Sequence, residues 1–174
     1  MSRGSQGDVL IDCLEKTSVQ VTEAVVRDIA DVVEAGRQRA PAELKDRLRF
    51  QTHDFVKLQE ETADMYFMQW IFHNWSNKKS VQILRNLIPS TKPGTKIIIG
   101  EYLLPDQILF HSWMRTSESL LNVDLTVLAL LNAIERDAEG LHDLLHDTDT
   151  RIHMNSIKMM PPGVMAVIEV MWKP

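Results

Sequence analysis

Two residues of this 174-residue chain stand where chemistry is most easily done, His73 and Glu101. His73 lies just past Met65 to Phe72, an apolar run of strand length rich in aromatic and bulky residues. Such a run is expected of a strand buried on both faces. Glu101 closes a second apolar run that begins at Lys96. An imidazole with an ordinary pKa near ~6.5 is suited to taking a proton from a hydroxyl at neutral pH. The plainer reading of a lone histidine at a strand end is a ring bonded to a neighbouring backbone group, and that is the commoner case. His142 and His146 are four apart on a short helical pattern, a spacing compatible with zinc. With no third ligand in evidence they read as a solvated helix face, and no metal site is expected.

The elements around these residues set their relation. Ser76 is placed to cap a helix whose apolar positions Val81, Leu84, Leu87 and Ile88 recur at helical spacing. Pro93-Gly94 breaks the chain before the second run. Strand, crossover helix and strand favour a parallel pair with a right-handed connection. Ligands in such sheets sit beyond the carboxyl ends of the strands, so His73 and Glu101 are predicted at the same edge. Upstream, residues 1–7 read as disordered, 8–12 as a short strand, and Ala24 to Asp28 as a strand ending in an acid. Residues 29–39 read as a helix with Ile29, Val32, Val33 and Gly36 on one face. Pro41 opens a further turn or two, and Leu48 to Thr52 is a strand. Downstream, residues 108–132 read as mostly helix, bent near Asn122, and 138–146 as a second helix. Residues 151–159 and 164–172 form two strands around Pro161-Pro162-Gly163, a hairpin that makes one strand antiparallel to the rest. The predicted fold is α/β, a mostly parallel Rossmann-like sheet with one antiparallel C-terminal strand.

The run MQWIFHNWSNKKSVQILRNLIPSTKPGTKIIIGEYLLP resembles the catalytic segment of S-adenosylmethionine-dependent O-methyltransferases of the plant caffeic-acid type and their fungal relatives. Family features recur there in order: a tryptophan, two apolar residues, a His-Asp-Trp-like triplet, a helix, a Pro-Gly turn and a strand ending in an acid. The resemblance implies that His73 is the general base and that Glu101 and Glu135 flank and orient it. A carboxylate on the far imidazole nitrogen would fix the tautomer and steady the imidazolium. It further implies that Asp28, in VVRDIADVVEAGR, accepts from the ribose of S-adenosylmethionine. Asp54 and Phe55, in FQTHDF, would hold and pack the adenine, Trp75 would cover it, and Gln69 stands where relatives carry a cation near the cofactor. Asn132 falls at a substrate-contacting position. As bare residues, Trp75 and Phe55 read as core aromatics and Glu135 as an acid at a helix start.

The resemblance covers residues 8–174 as a partial catalytic domain. No glycine occurs between Asp12 and Gly36, and the interval from Val9 to Asp28 is short for a complete strand, loop, helix and strand. The family's glycine-rich loop and its N-terminal dimerising domain are therefore expected to be absent. Asn74 replaces the family's Asp beside the base, and Gln69 replaces a basic residue.

A net charge of −5 leaves no basic footprint for nucleic acid. The single Cys13 gives no disulfide framework and suits a reducing, cytoplasmic setting. No apolar run approaches the ~18 residues of a membrane span, and the polar start is unlike a secretory signal. The expected activity is methyl transfer to a hydroxyl of a small aromatic natural product. Two alternatives accompany it: a non-catalytic remnant or subunit associating with a copy of itself or a full-length homologue, and a cyclase or isomerase that transfers no methyl.

Overall fold

The computed structural model describes residues 6–16, 21–104, 124–160 and 165–173, in two units, Met1–Lys57 and Leu58–Pro174. Among the described residues no helix is long and apolar enough to cross a membrane.

The first unit holds α1 (Asp8–Lys16), β1 (Ala24–Asp28), α2 (Ala30–Arg39) and β2 (Leu48–Thr52), with a 3-10 turn at Ala42–Leu44. The two strands run parallel, from Ala24 beside Leu48 to Asp28 beside Thr52. Both strands and the position of α2 match expectation. Residues 8–12 do not: they open a helix rather than form a strand. Leu10, Ile11 and Leu14 fall on one helical face and pack on Ala24, Val26, Leu44 and Leu48, while Lys16 pairs with Asp12 one turn back at 2.8 Å. Gly7, with φ +90°, turns the chain into α1. A Cβ there would lie 3.0 Å from the Val26 side chain and 3.3 Å from the Phe50 ring. Most of the start expected to be disordered, residues 1–5, lies outside the described residues.

The second unit is a four-stranded sheet with strand order β3-β4-β6-β5. Its strands are β3 (Met65–Gln69), β4 (Lys96–Tyr102), β5 (Ile152–Met160) and β6 (Met165–Trp172). β3 and β4 are parallel, with Gln69 beside Gly100. β6 is antiparallel to both β4 and β5 and so is the one reversed strand. Two helices, α3 (Asn77–Leu87) and α5 (Ala138–Thr148), bury Ile83, Leu84 and Leu87, and Leu141, Leu144 and Leu145. Arg85 of α3 donates to the carbonyls of Asp147 and Thr148 at 2.7 and 3.1 Å, a cation at the carboxyl end of α5. Between β4 and α5, residues 124–131 are helical and are called α4. The rest of the long helix expected over 108–132 lies outside the described residues up to 123.

Two expectations for this unit need correction. β3 ends at Gln69 rather than running to Phe72, because Trp70 turns left-handed at φ 53°. Nor is it buried on both faces: it is the outer strand of the sheet, and Met65 and Phe67 are 55% and 38% exposed. Ser76 occupies the N-cap position of α3, but its side chain makes no capping bond.

Gly36 tests the packing of the first unit. A glycine-to-alanine change inside a helix ordinarily stabilises by about 1 kcal/mol. Here a Cβ would meet the Phe50 ring at 2.6 Å and the Gln6 carbonyl at 2.9 Å. Gly36→Ala is therefore expected to destabilise by about 1–3 kcal/mol in urea titration, the range for overpacking.

Candidate active site

The chain leaves β3 through Trp70, whose N–H donates to the Gly100 carbonyl of β4 at 2.9 Å. A left-handed bulky residue is costly to hold, and several contacts fix it. Its indole stacks on Tyr102 with centroids 6.1 Å apart. The next two N–H groups, of Ile71 and Phe72, both donate to Glu101 Oε1 at 2.9 and 2.8 Å. Asn74 donates its amide back to the Trp70 carbonyl at 3.0 Å. An ionised aspartate at position 74 would have no hydrogen to give that carbonyl.

This turn continues into the 3-10 segment Phe72–Asn74, which carries His73. The ring's Nδ1 lies 3.0 Å from Glu135 Oε1. The two side chains are 16% and 1% exposed. Glu135 is held in turn by its own N–H, which donates to Asp124 Oδ1 at 2.7 Å. The predicted catalytic trio is thus brought together, with roles divided differently from a simple flanking pair. Glu135 bonds the imidazole, while Glu101, 4% exposed, bonds the backbone that presents it.

Burial pushes the Glu101 carboxyl up to about 7, against the opposing pull of His73 and the two backbone N–H groups. For His73, burial works against the charged form, yet the Glu135 hydrogen bond and the fields of both acids outweigh it and raise the pKa. Phe72, His73, Glu101, Tyr102, Glu135 and Arg136 line a cavity of about 10 Å³, room for one water molecule.

The remaining predicted residues divide between the units. In the first, Asp28 ends β1 and accepts from the Ile29 N–H at 2.8 Å, and Asp54 accepts from the Val56 N–H at 3.0 Å. Asp28 is the last residue of its parallel strand and Asp54 lies two residues past the other, and Phe55 beside Asp54 is half-buried. In the second, Gln69 ends β3 with its Oε1 buried and unpartnered, and Trp75 is half-buried just after the His73 turn. Asn132 is exposed at φ 51°, where it ends α4, a position asparagine tolerates. Among the described residues no group of three or more His, Cys, Asp or Glu is placed to hold a metal ion.

Sequence reasoning gave no site role to Arg136 or to Trp70, the tryptophan that opens the motif. Arg136 is 6% exposed and donates to the Phe72 and Trp75 carbonyls at 2.9 and 3.2 Å, on either side of His73. Its only signal was its place directly after Glu135. Nothing in the sequence marked Trp70 as left-handed.

The model of the O-methyltransferase domain family matches residues 5–149. The O-methyltransferase AMT9 of Alternaria alternata is 40% identical over 152 residues, covering 86% of this chain and 35% of that protein. The chlorophenol O-methyltransferase of Trichoderma longibrachiatum is 33% identical over 173 residues, covering 97% and 36%. The chain thus spans about a third of the length of these curated relatives. Among solved structures, LepI in complex with SAM superposes with a TM-score of 0.84 at 19% identity, covering 98% of this chain and 41% of that one. A structure described as a pericyclic reaction enzyme gives the same values. At such identities the likeness shows the fold.

The raised acid has a consequence for stability. The folded form of Glu101 binds its proton more tightly than an ordinary carboxyl, so stability is lost as pH rises from about 4.5 through about 7. His73, also raised, contributes stability below 6.5 that is lost as pH rises through its folded value, so both groups act in the same direction. Glu101→Gln still offers an oxygen to Ile71 and Phe72. It is expected to flatten the fall in thermal midpoint between pH 5 and pH 7 (about the interval of the raised acid); an unchanged slope would contradict the assignment.

Proposed function

The chain belongs to the O-methyltransferase domain family, and from that premise we propose that His73 is the general base for methyl transfer to a hydroxyl of a small aromatic molecule. One observation carries the reading. Glu135 bonds Nδ1 of a ring only 16% exposed, and a carboxylate there favours the tautomer with hydrogen on Nδ1 and a free lone pair on Nε2. Nε2 takes the hydroxyl proton as the oxygen is methylated, and the imidazolium so formed sits against Glu135.

S-adenosylmethionine, when bound, supplies the electrophilic sulfonium methyl group. The residues present fit such a group: the buried, unpartnered Oε1 of Gln69 requires a donor. With one oxygen given to a backbone N–H, Asp28 keeps its other for a ribose hydroxyl. Asp54, Phe55 and Trp75 are the proposed adenine contacts. Asn132 is the proposed substrate contact, at the end of a segment whose exposed Leu125, Leu128 and Leu131 suit an apolar substrate.

A second reading is favoured by the neighbour described as a pericyclic reaction enzyme: the same base or its imidazolium would promote a rearrangement with no methyl transferred. Association with a further chain, a second copy or a longer homologue, is supported by the exposed Met65 and Phe67 on the outer strand. A cytoplasmic setting is supported by the lone Cys13.

The test is incubation of the chain, alone and with a longer homologue, with S-adenosylmethionine and a panel of phenols, read by mass spectrometry. Gain of a methyl mass supports the proposal, and conversion at constant mass supports the rearrangement. His73→Gln is expected to lower turnover by about 10²–10⁴, the range for loss of a general base. Turnover unchanged in that variant would remove His73 from the mechanism.

A further inference from the structure

Arg136, to which the resemblance gives no role, is buried beside His73. Nη1 donates to the Phe72 carbonyl at 2.9 Å. Nη2 donates to the Trp75 carbonyl at 3.2 Å, the Ser80 hydroxyl at 3.3 Å and Asn77 Oδ1 at 2.7 Å. Nε reaches the same Asn77 oxygen at 3.1 Å. The acceptors precede and follow His73, so one planar fork spans the whole turn that bears the ring. The backbone of Arg136 is pinned to the end of β4, its carbonyl accepting from the Leu104 N–H at 2.9 Å. Directly before it in the chain, Glu135 takes the ring itself at 3.0 Å. Adjacent residues thus grip the imidazole and the peptide frame that carries it. Among the described residues the guanidinium makes no salt bridge within 4 Å. A buried charge is an expensive spacer, and an apolar residue of like volume would serve a purely packing role better.

We infer that Arg136 is a positioning residue for the base: by holding the carbonyls on either side of His73, it sets the ring against Glu135. The inference rests on the reading of His73 as the base. A lysine keeps the charge but, as a point donor on a flexible stem, cannot replace the fork. Positioning and charge are therefore separable in one substitution.

The experiment titrates the His73 Cε1 proton by NMR in the full chain without cofactor or substrate, the resonance being assigned by its loss in His73→Gln. The readout is the drop in His73 pKa caused by Glu135→Gln, which measures the ring–carboxylate coupling. With Arg136 present a clear drop is expected. In an Arg136→Lys background most of that drop should vanish. A lysine variant that is folded and shows the full drop would overturn the inference, because a merely structural clamp lowers the thermal midpoint without loosening this pair. Should Arg136→Lys fail to fold, Asn77→Ala removes the acceptor shared by Nε and Nη2 at the exposed start of α3. A diminished drop in that variant supports the inference, and an undiminished one overturns it. No methyl transfer enters the measurement, so a null result here leaves the proposed reaction standing, and an inactive chain leaves the coupling measurable.

Discussion

A carboxylate kept away from water must be given donors, and the local architecture follows from how Glu101 obtains them. Its donors are the N–H groups of Ile71 and Phe72, which are free to point at β4 only because β3 stops at Gln69 and the chain reverses hand at Trp70. An extended continuation would have sent alternate N–H groups along the sheet ladder instead. The left-handed tryptophan, the short 3-10 segment and the inward turn of His73 are thus parts of one arrangement. Its electrostatic counterpart is a carboxyl that burial holds near neutrality beside an imidazole that its neighbours keep basic.

Glu135 and Arg136 complete the arrangement from the other side of the sequence. They lie on the short connection between α4 and α5, fixed by Asp124 at one end and by the Asp137 cap of α5 at the other, where Asp137 accepts from the Gly140 N–H at 2.7 Å. A connection bound at both ends can deliver two charged side chains into a nearly dry interior without their swinging back to solvent. Both carry hydrogen bonds on arrival, which is the condition for burying charge at tolerable cost.

Much of this was legible in the chain beforehand. The apolar runs gave β1, β2, β4 and the closing hairpin closely, because alternation and turn residues are local signals. His73, Glu101 and Glu135 were readable from motif order, and they do converge. What stayed hidden depends on tertiary context. Residues 8–12 carry too few apolar positions to separate a short strand from the first turn of a helix, and only packing on Val26 and Leu48 decides it. Exposure of Met65 and Phe67 follows from β3 being outermost in the sheet, which no local pattern states. The division of labour between the two acids was equally invisible, since a bond to backbone and a bond to imidazole demand the same residue type.

Every hydrogen bond described around His73 lies within Leu58–Pro174. The acids ascribed to the nucleoside, Asp28 and Asp54, lie within Met1–Lys57. The hydrogen-bonded cluster around His73 is in that sense self-contained. A substitution within Met1–Lys57 removes none of those hydrogen-bond partners. Substitutions that loosen the pairing of His73 with Glu135 are therefore to be sought within Leu58–Pro174 alone.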